Sequence, residues 1–238
     1  MTVKELLESG ADFRTHLDVN GDIIQHVLNL NSKDLTSLEG IENIEKPEEI
    51  KTLYIERNKI KSLKGIEIFK NLEKLLADEN KLKNLDELST LDKLQAISVA
   101  QNKIYNLSGL KKLTNLTSLN LKKNRIDDLS QLADLDKLRI IILDYNDVES
   151  LEPLKTLKSL ERLDVNHNEL ESLIGIESLT KLWNVDYDHN DCSSNYKNTI
   201  DIEALRNEII VKHHLKAGDD LRGAASISDT GLFDFKMK

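Results

Sequence analysis

One short pattern, Leu-x-Leu-x-x-Asn-x-Ile, recurs seven times at a fixed interval and leaves this chain few ways to fold. Its opening apolar residue is Leu53, then Leu75, Ile97, Leu119, Ile141, Leu163 and Val185, each 22 residues after the last. Two residues further on stand Ile55, Ala77, Val99, Leu121, Leu143, Val165 and Tyr187. An asparagine then follows without exception, at Asn58, Asn80, Asn102, Asn124, Asn146, Asn168 and Asn190. The unit closes on Ile60, Leu82, Ile104, Ile126, Val148, Leu170 and Cys192. A constant period of this length is the mark of stacked supersecondary units, so the period settles the architecture before any single residue does.

The fixed positions are the ones that must be buried. Leu-x-Leu alternation gives a short strand with both apolar side chains on one face. The asparagine turns the chain. Its amide both donates and accepts, so a stack of them can satisfy backbone groups of its own loop and of the next coil. Apolar residues then fall at every third position, as in Leu107, Leu110, Leu113 and Leu116, a spacing that suits a 3₁₀-like or extended return leg. One unit cannot bury its apolar face alone, whereas stacked units share a continuous core. The expected fold is of the α/β class: a curved, right-handed solenoid with a parallel β-sheet on its concave face and short 3₁₀ or extended convex legs. An earlier coil, with Leu28, Leu30, Leu35, Leu38 and Ile41, brings the count to eight. It carries Lys33 where the asparagine belongs, and three extra residues enter around Pro47.

The run Leu-Thr-Asn-Leu-Thr-Ser-Leu-Asn-Leu-Lys-Lys-Asn-Arg-Ile at residues 113–126 resembles an internalin repeat. Residues 28–192 as a whole resemble leucine-rich repeats of the short 22-residue type, in the phosphatase regulatory-subunit-like and internalin-like subclasses. What such proteins share is a scaffold and not a partner. The resemblance implies two settings: a regulatory or assembly subunit inside its own cell, or a bacterial effector delivered into a host cell to bind a host protein.

A net charge of −9 with 32% charged residues argues against nonspecific binding to nucleic acid or anionic lipid. The single cysteine, Cys192, excludes an intramolecular disulfide and reads as a small buried hydrophobe. No apolar run approaches the length of a membrane span, and the first ten residues lack the apolar centre of a secretory signal. The expected setting is the cytoplasm, or a host cell if the protein is injected, with a monomer as the favoured state. No Gly-rich phosphate loop, Cys/His metal spacing or nucleophile–histidine pair is apparent, so neither an enzyme nor a cofactor is expected.

Residues 1–27 are expected to cap the first coil, with a short helix over 2–9 and a hairpin turn at Asn20-Gly21. The same stretch from Asp18 partly matches a calcium loop, but its glycine falls too early and Asn29 stands where glutamate belongs. Residues 193–218 should hold an amphipathic capping helix, with Ile202, Leu205, Ile209 and Ile210 on one face, and 219–238 form a tail.

The concave sheet presents the variable positions as rows of neighbours about 4.8 Å apart. Tyr54 with Leu76, and Ile142 with Tyr145, read as apolar residues turned outward, a common form of anchor for a protein partner. Scattered apolar surface residues are also ordinary. Aspartate at Tyr54 and Ile142 is expected to leave folding intact. A basic island of Lys122, Lys123 and Arg125 precedes an acidic end of Asp144, Asp164, Asp186 and Asp188, a change of sign that would orient a partner. It also fits a plain solvated surface. His167 and His189 fall on neighbouring coils beside those aspartates, a residue set from which a metal-dependent enzyme could be built.

Overall fold

Among the described residues the repeat folds into eight three-residue strands. They are β1 (Val27–Asn29), β2 (Thr52–Tyr54), β3 (Lys74–Leu76), β4 (Ala96–Ser98), β5 (Ser118–Asn120), β6 (Ile140–Ile142), β7 (Arg162–Asp164) and β8 (Asn184–Asp186). The computed structural model describes residues 1–9 and 26–191. In it the strands make one open parallel sheet in chain order. Leu53 pairs with Leu75, Leu75 with Ile97, and so on to Leu163 with Val185. The first step, Leu28 to Leu53, absorbs its three extra residues beside a 3₁₀ turn at Pro47–Glu49.

The return legs are 3₁₀ turns, at Ile41–Asn43, Ile66–Ile68, Asp86–Thr90, Ser108–Leu110, Ser130–Leu132 and Glu152–Thr156. They stack closely: a Cβ on Gly109 would stand 1.9 Å from the Leu85 carbonyl oxygen, so that position admits no side chain. The strand and leg leucines merge into one continuous apolar cluster running from Val3 to Leu182.

A six-residue helix, α1 (Val3–Glu8), buries Val3 and Leu6 in that cluster at the first coil. Thr2 and Glu5 form a reciprocal capping box at its start. The Lys4 N–H donates to the Glu39 carbonyl at 2.8 Å and the Thr36 N–H to the Met1 carbonyl at 2.9 Å. Cys192, the 193–218 helix, the 219–238 tail, the Asn20-Gly21 turn and the loop at Asp18 lie outside the described residues.

The asparagines bond backward, to the preceding coil and not to the next one as the sequence suggested. Asn124 Oδ1 accepts from the Ile104 N–H at 2.9 Å, while its Nδ2 donates to the Val99 carbonyl of the coil before and to Leu121 and Lys122 of its own. Asn80, Asn102, Asn146, Asn168 and Asn190 repeat this bridge. Asn58 reaches back to Leu30 and accepts from Lys33 and Leu35. The direction fits Lys33: among the described residues no repeat coil precedes the first one, and that coil is the one without the asparagine.

Immediately before each asparagine the chain enters the left-handed region without glycine. Arg57, Glu79, Gln101, Lys123, Tyr145, His167 and His189 all have φ between 54° and 60°. A non-glycine residue there carries strain of the order of 1 kcal/mol. From Arg57 to His167 the next coil holds it in place: the Tyr145 N–H donates to the Asn166 carbonyl and the His167 N–H to the Asp188 carbonyl, each at 2.8 Å.

Asn124→Leu should therefore strand the Ile104 N–H and remove one of the two amide donors from each of the Val99 and Leu121 carbonyls, which keep Asn102 and Asn146, at a cost of roughly 1–3 kcal/mol. Lys33→Ala should cost under about 0.5 kcal/mol. Urea unfolding curves of the two variants would show the contrast, and equal midpoints would remove the bridge from its structural role.

Candidate partner-binding face

Alternation along each three-residue strand sends the middle residue into the core and the two outer residues onto the concave sheet. Position for position, the structure places the expected rows there. Tyr54, Leu76, Ile142, Asp164 and Asp186 share one row, and Lys122, Asp144 and Asp188 belong to the row beyond the strand ends. Their exposure, however, divides them.

Leu76 and Ile142 are not the exposed anchors the pattern suggested: only 9% and 8% of their surfaces reach solvent. They do face away from the main core. Ile142 packs with Ile140 in a separate apolar cluster on the sheet surface, because parallel neighbours on both sides and a bulky residue two positions away shield it. Tyr54 is half-buried and Tyr145 is 44% exposed. The expected tolerance of aspartate thus fails at Ile142, where it would bury a charge.

The acidic end is likewise largely committed within the protein. Asp144 and Asp164 are buried. Asp164 holds Arg162, two residues before it on the same face of β7, with contacts of 2.6–3.1 Å. That pair keeps the Arg162 guanidinium firmly protonated. Burial pushes the Asp164 carboxyl up against the pull of Arg162. Asp144 accepts from both the backbone and side-chain nitrogens of Asn166 at 3.0 Å and pairs with Lys122 at 3.4 Å. The basic island is thus partly spent: Lys122 neutralises Asp144, and Lys123 lies over the Tyr145 ring at 5.5 Å.

Asp144 exposes a role that the sequence reading missed. The row beyond the strand ends is not purely a display surface, because a short acceptor there takes the N–H of the residue opposite on the next coil. Asn31 serves Glu56, Asp78 serves Ala100, Asp144 serves Asn166, and Asn166 serves Asp188. The signal was available as the recurrence of Asp or Asn at that position in five coils, at Asn31, Asp78, Asp144, Asn166 and Asp188. Asp78 carries a cost for this. Burial, with Glu56 and Glu79 nearby, pushes its carboxyl up to about 6, while bonds from the Ser98 hydroxyl and Ala100 N–H pull it back.

His167 and His189 do come together, but not as a ligand set. The Tyr145 and His167 rings stack at 4.1 Å with 13° between planes, and His167 and His189 at 4.0 Å with 12°. Stacked imidazoles turn faces, not in-plane lone pairs, toward each other. Among the described residues no group of three or more His, Cys, Asp or Glu is placed to hold a metal. Together with Lys123 the rings make a continuous cation–aromatic row across four coils, one row outward from the acidic positions. Among the described residues no helix is long and apolar enough to cross a membrane.

Solved internalin structures from Listeria monocytogenes share this fold. Internalin C2 is 26% identical, with a TM-score of 0.66 over 70% of this chain and 72% of its own. Internalin F is 23% identical, with a TM-score of 0.67 over 79% of this chain and 54% of its own. The functional domain of InlJ, which includes a cysteine ladder, is 23% identical with a TM-score of 0.61, and the match covers 74% of this chain and 37% of that one. This chain therefore spans about half of the internalin F chain and little more than a third of the InlJ chain. No protein-family model and no curated protein matches the sequence. The fold is an internalin-like leucine-rich-repeat solenoid: an open parallel sheet with short 3₁₀ return turns and little helix.

Two stability outcomes follow. Ile142→Asp should cost roughly 2–3 kcal/mol, in contrast to an innocuous surface change. For Asp78, the folded chain holds the proton more tightly than the unfolded chain, whose carboxyl keeps its ordinary value of 3.8. Its stabilising contribution is then full below about pH 3.8 and is lost as pH rises through about 6. Asp78→Asn keeps an oxygen to accept both bonds, so it should raise stability by roughly 1–2 kcal/mol above pH 6 and flatten the profile between pH 4 and 6. Thermal unfolding across that range checks both signs.

Proposed function

We propose that this internalin-like solenoid is a non-enzymatic protein-interaction module that receives a protein partner on its concave sheet and adjoining rim, as a regulatory or assembly scaffold. The observation that carries the reading is the row of Lys123, Tyr145, His167 and His189. Its rings are in contact from coil to coil, each residue sits in a left-handed turn, and the N–H groups of Lys123, Tyr145 and His167 are held by the following coil. Aromatic groups held rigid before contact lose little conformational freedom on binding, which is the property of a good anchor. Likeness to internalin C2 supports an interaction module in general terms and leaves the partner open. The other setting, delivery into a host cell to act on a host protein, uses the same surface, and the choice between them is a matter of which cell holds the partner.

The test is a pull-down with the full chain from lysate of its own organism and from a eukaryotic lysate, in parallel. Tyr145→Ala with His167→Ala removes the centre of the row without touching the core. A partner captured by the native chain and lost from this variant is the expected result, and the lysate that yields it assigns the setting. A partner retained by the variant at native level would move the interface off this face.

A further inference from the structure

The last coils carry a charge arrangement that internal pairing leaves unbalanced. Asp144, Asp164, Asp186 and Asp188 occupy adjoining concave positions, and among the described residues two cations pair with them: Lys122 with Asp144 and Arg162 with Asp164. Asp186 meets Arg162 only through space. Its carboxyl is pushed up by burial and by Asp164, Asp144 and Asp188, with Arg162 pulling the other way. A second feature stands beside it. Asn184 is 3% exposed, and its side-chain carbonyl oxygen has no hydrogen-bond partner. Asn184 and Asp186 are the outer residues of β8 and project to the same concave face. A buried acceptor without a donor is rare in a native protein and marks the place of a missing donor. Asn184 and Asp186 thus place two acceptor-bearing side chains on one face of one strand, with the exposed Asp188 two residues beyond.

We propose that Asn184, Asp186 and Asp188 form a subsite for the guanidinium of an arginine on the protein partner. A guanidinium presents five N–H donors in a planar fork, which can serve a carboxylate and an amide oxygen together. An ammonium offers charge without that fork. Metal ligation does not account for the arrangement, since no set of three or more metal-binding side chains converges among the described residues. The subsite rests on the reading of the concave face as the binding surface and gives that reading a chemistry: a basic segment, with its arginine seated at the C-terminal coils beside the ring-lined rim.

A fluorescent, acetylated tri-arginine amide titrated into the full chain tests it by anisotropy, independently of any natural partner. Asp186→Asn with Asp188→Asn should weaken binding about tenfold or more. Glu169→Gln with Glu171→Gln removes the same charge from exposed positions after the asparagine turn and should change binding less than about twofold. Unfolding curves confirm that both variants are folded; Asp186 makes no hydrogen bond or ion pair through its carboxylate among the described residues, so its loss leaves the array intact. Tri-lysine amide should bind more weakly than tri-arginine. Absence of saturable binding, equal loss in the two variants, or equal affinity for tri-lysine would overturn the subsite. If it is overturned while the Tyr145/His167 variant still loses a captured partner, the concave-face reading stands without it.

Discussion

The asparagine bridge between successive coils is the interaction on which the rest depends. A three-residue strand has too few ladder bonds to hold its register, and the turn that follows exposes backbone groups at the edge of an apolar core. One amide side chain solves both problems, closing its own turn and fastening it to the coil before. Leucine burial supplies the bulk of the driving force, as in any solenoid. Leucines alone, however, fix only which face is inside. The asparagine fixes where each coil sits on its neighbour.

That fastening makes the rim usable. The residue before each asparagine is forced into the left-handed region, and a side chain there leaves the backbone in a direction that neither strand nor leg provides. Where successive coils place flat side chains at that point, they meet face to face, as Tyr145, His167 and His189 do. The neighbouring rows, by contrast, are drawn inward. Asp144 and Asp78 are occupied as backbone acceptors, and Asp164 with Arg162. The concave face is thus a structural network with a narrow display strip along one side, instead of a uniformly free surface.

Periodicity made the scaffold legible in the sequence because burial constrains the same positions in every coil. Strand positions, the count of coils, the 3₁₀ legs and the irregular first step could all be read from leucines, asparagines and Pro47. The surface was harder. A repeat pattern assigns Ile142 to the outer face but carries no measure of how far its neighbours cover it, so direction was mistaken for exposure. The two histidines were correctly placed side by side, but their ring orientation depends on the turn geometry, and stacking replaced ligation. The Arg162–Asp164 pair was visible as two residues flanking one core leucine. The backward direction of the asparagine bridge was visible too, in the absence of asparagine from the first coil.

Because every coil from the second onward carries an asparagine bridge to the coil before it, the unit of inheritance in such a chain is the 22-residue segment itself. Duplicating or excising one whole segment leaves each remaining asparagine with a carbonyl and an N–H where it needs them, while a change of a few residues breaks the phase and needs a local patch, as the turn at Pro47–Glu49 supplies for the first step. Growth also has a direction. A segment appended at the far end arrives with its bridge, whereas one added ahead of the first coil would require Lys33 to become a bridging residue. The breadth of the display strip is therefore open to change in steps of one strand spacing without redesign of the core.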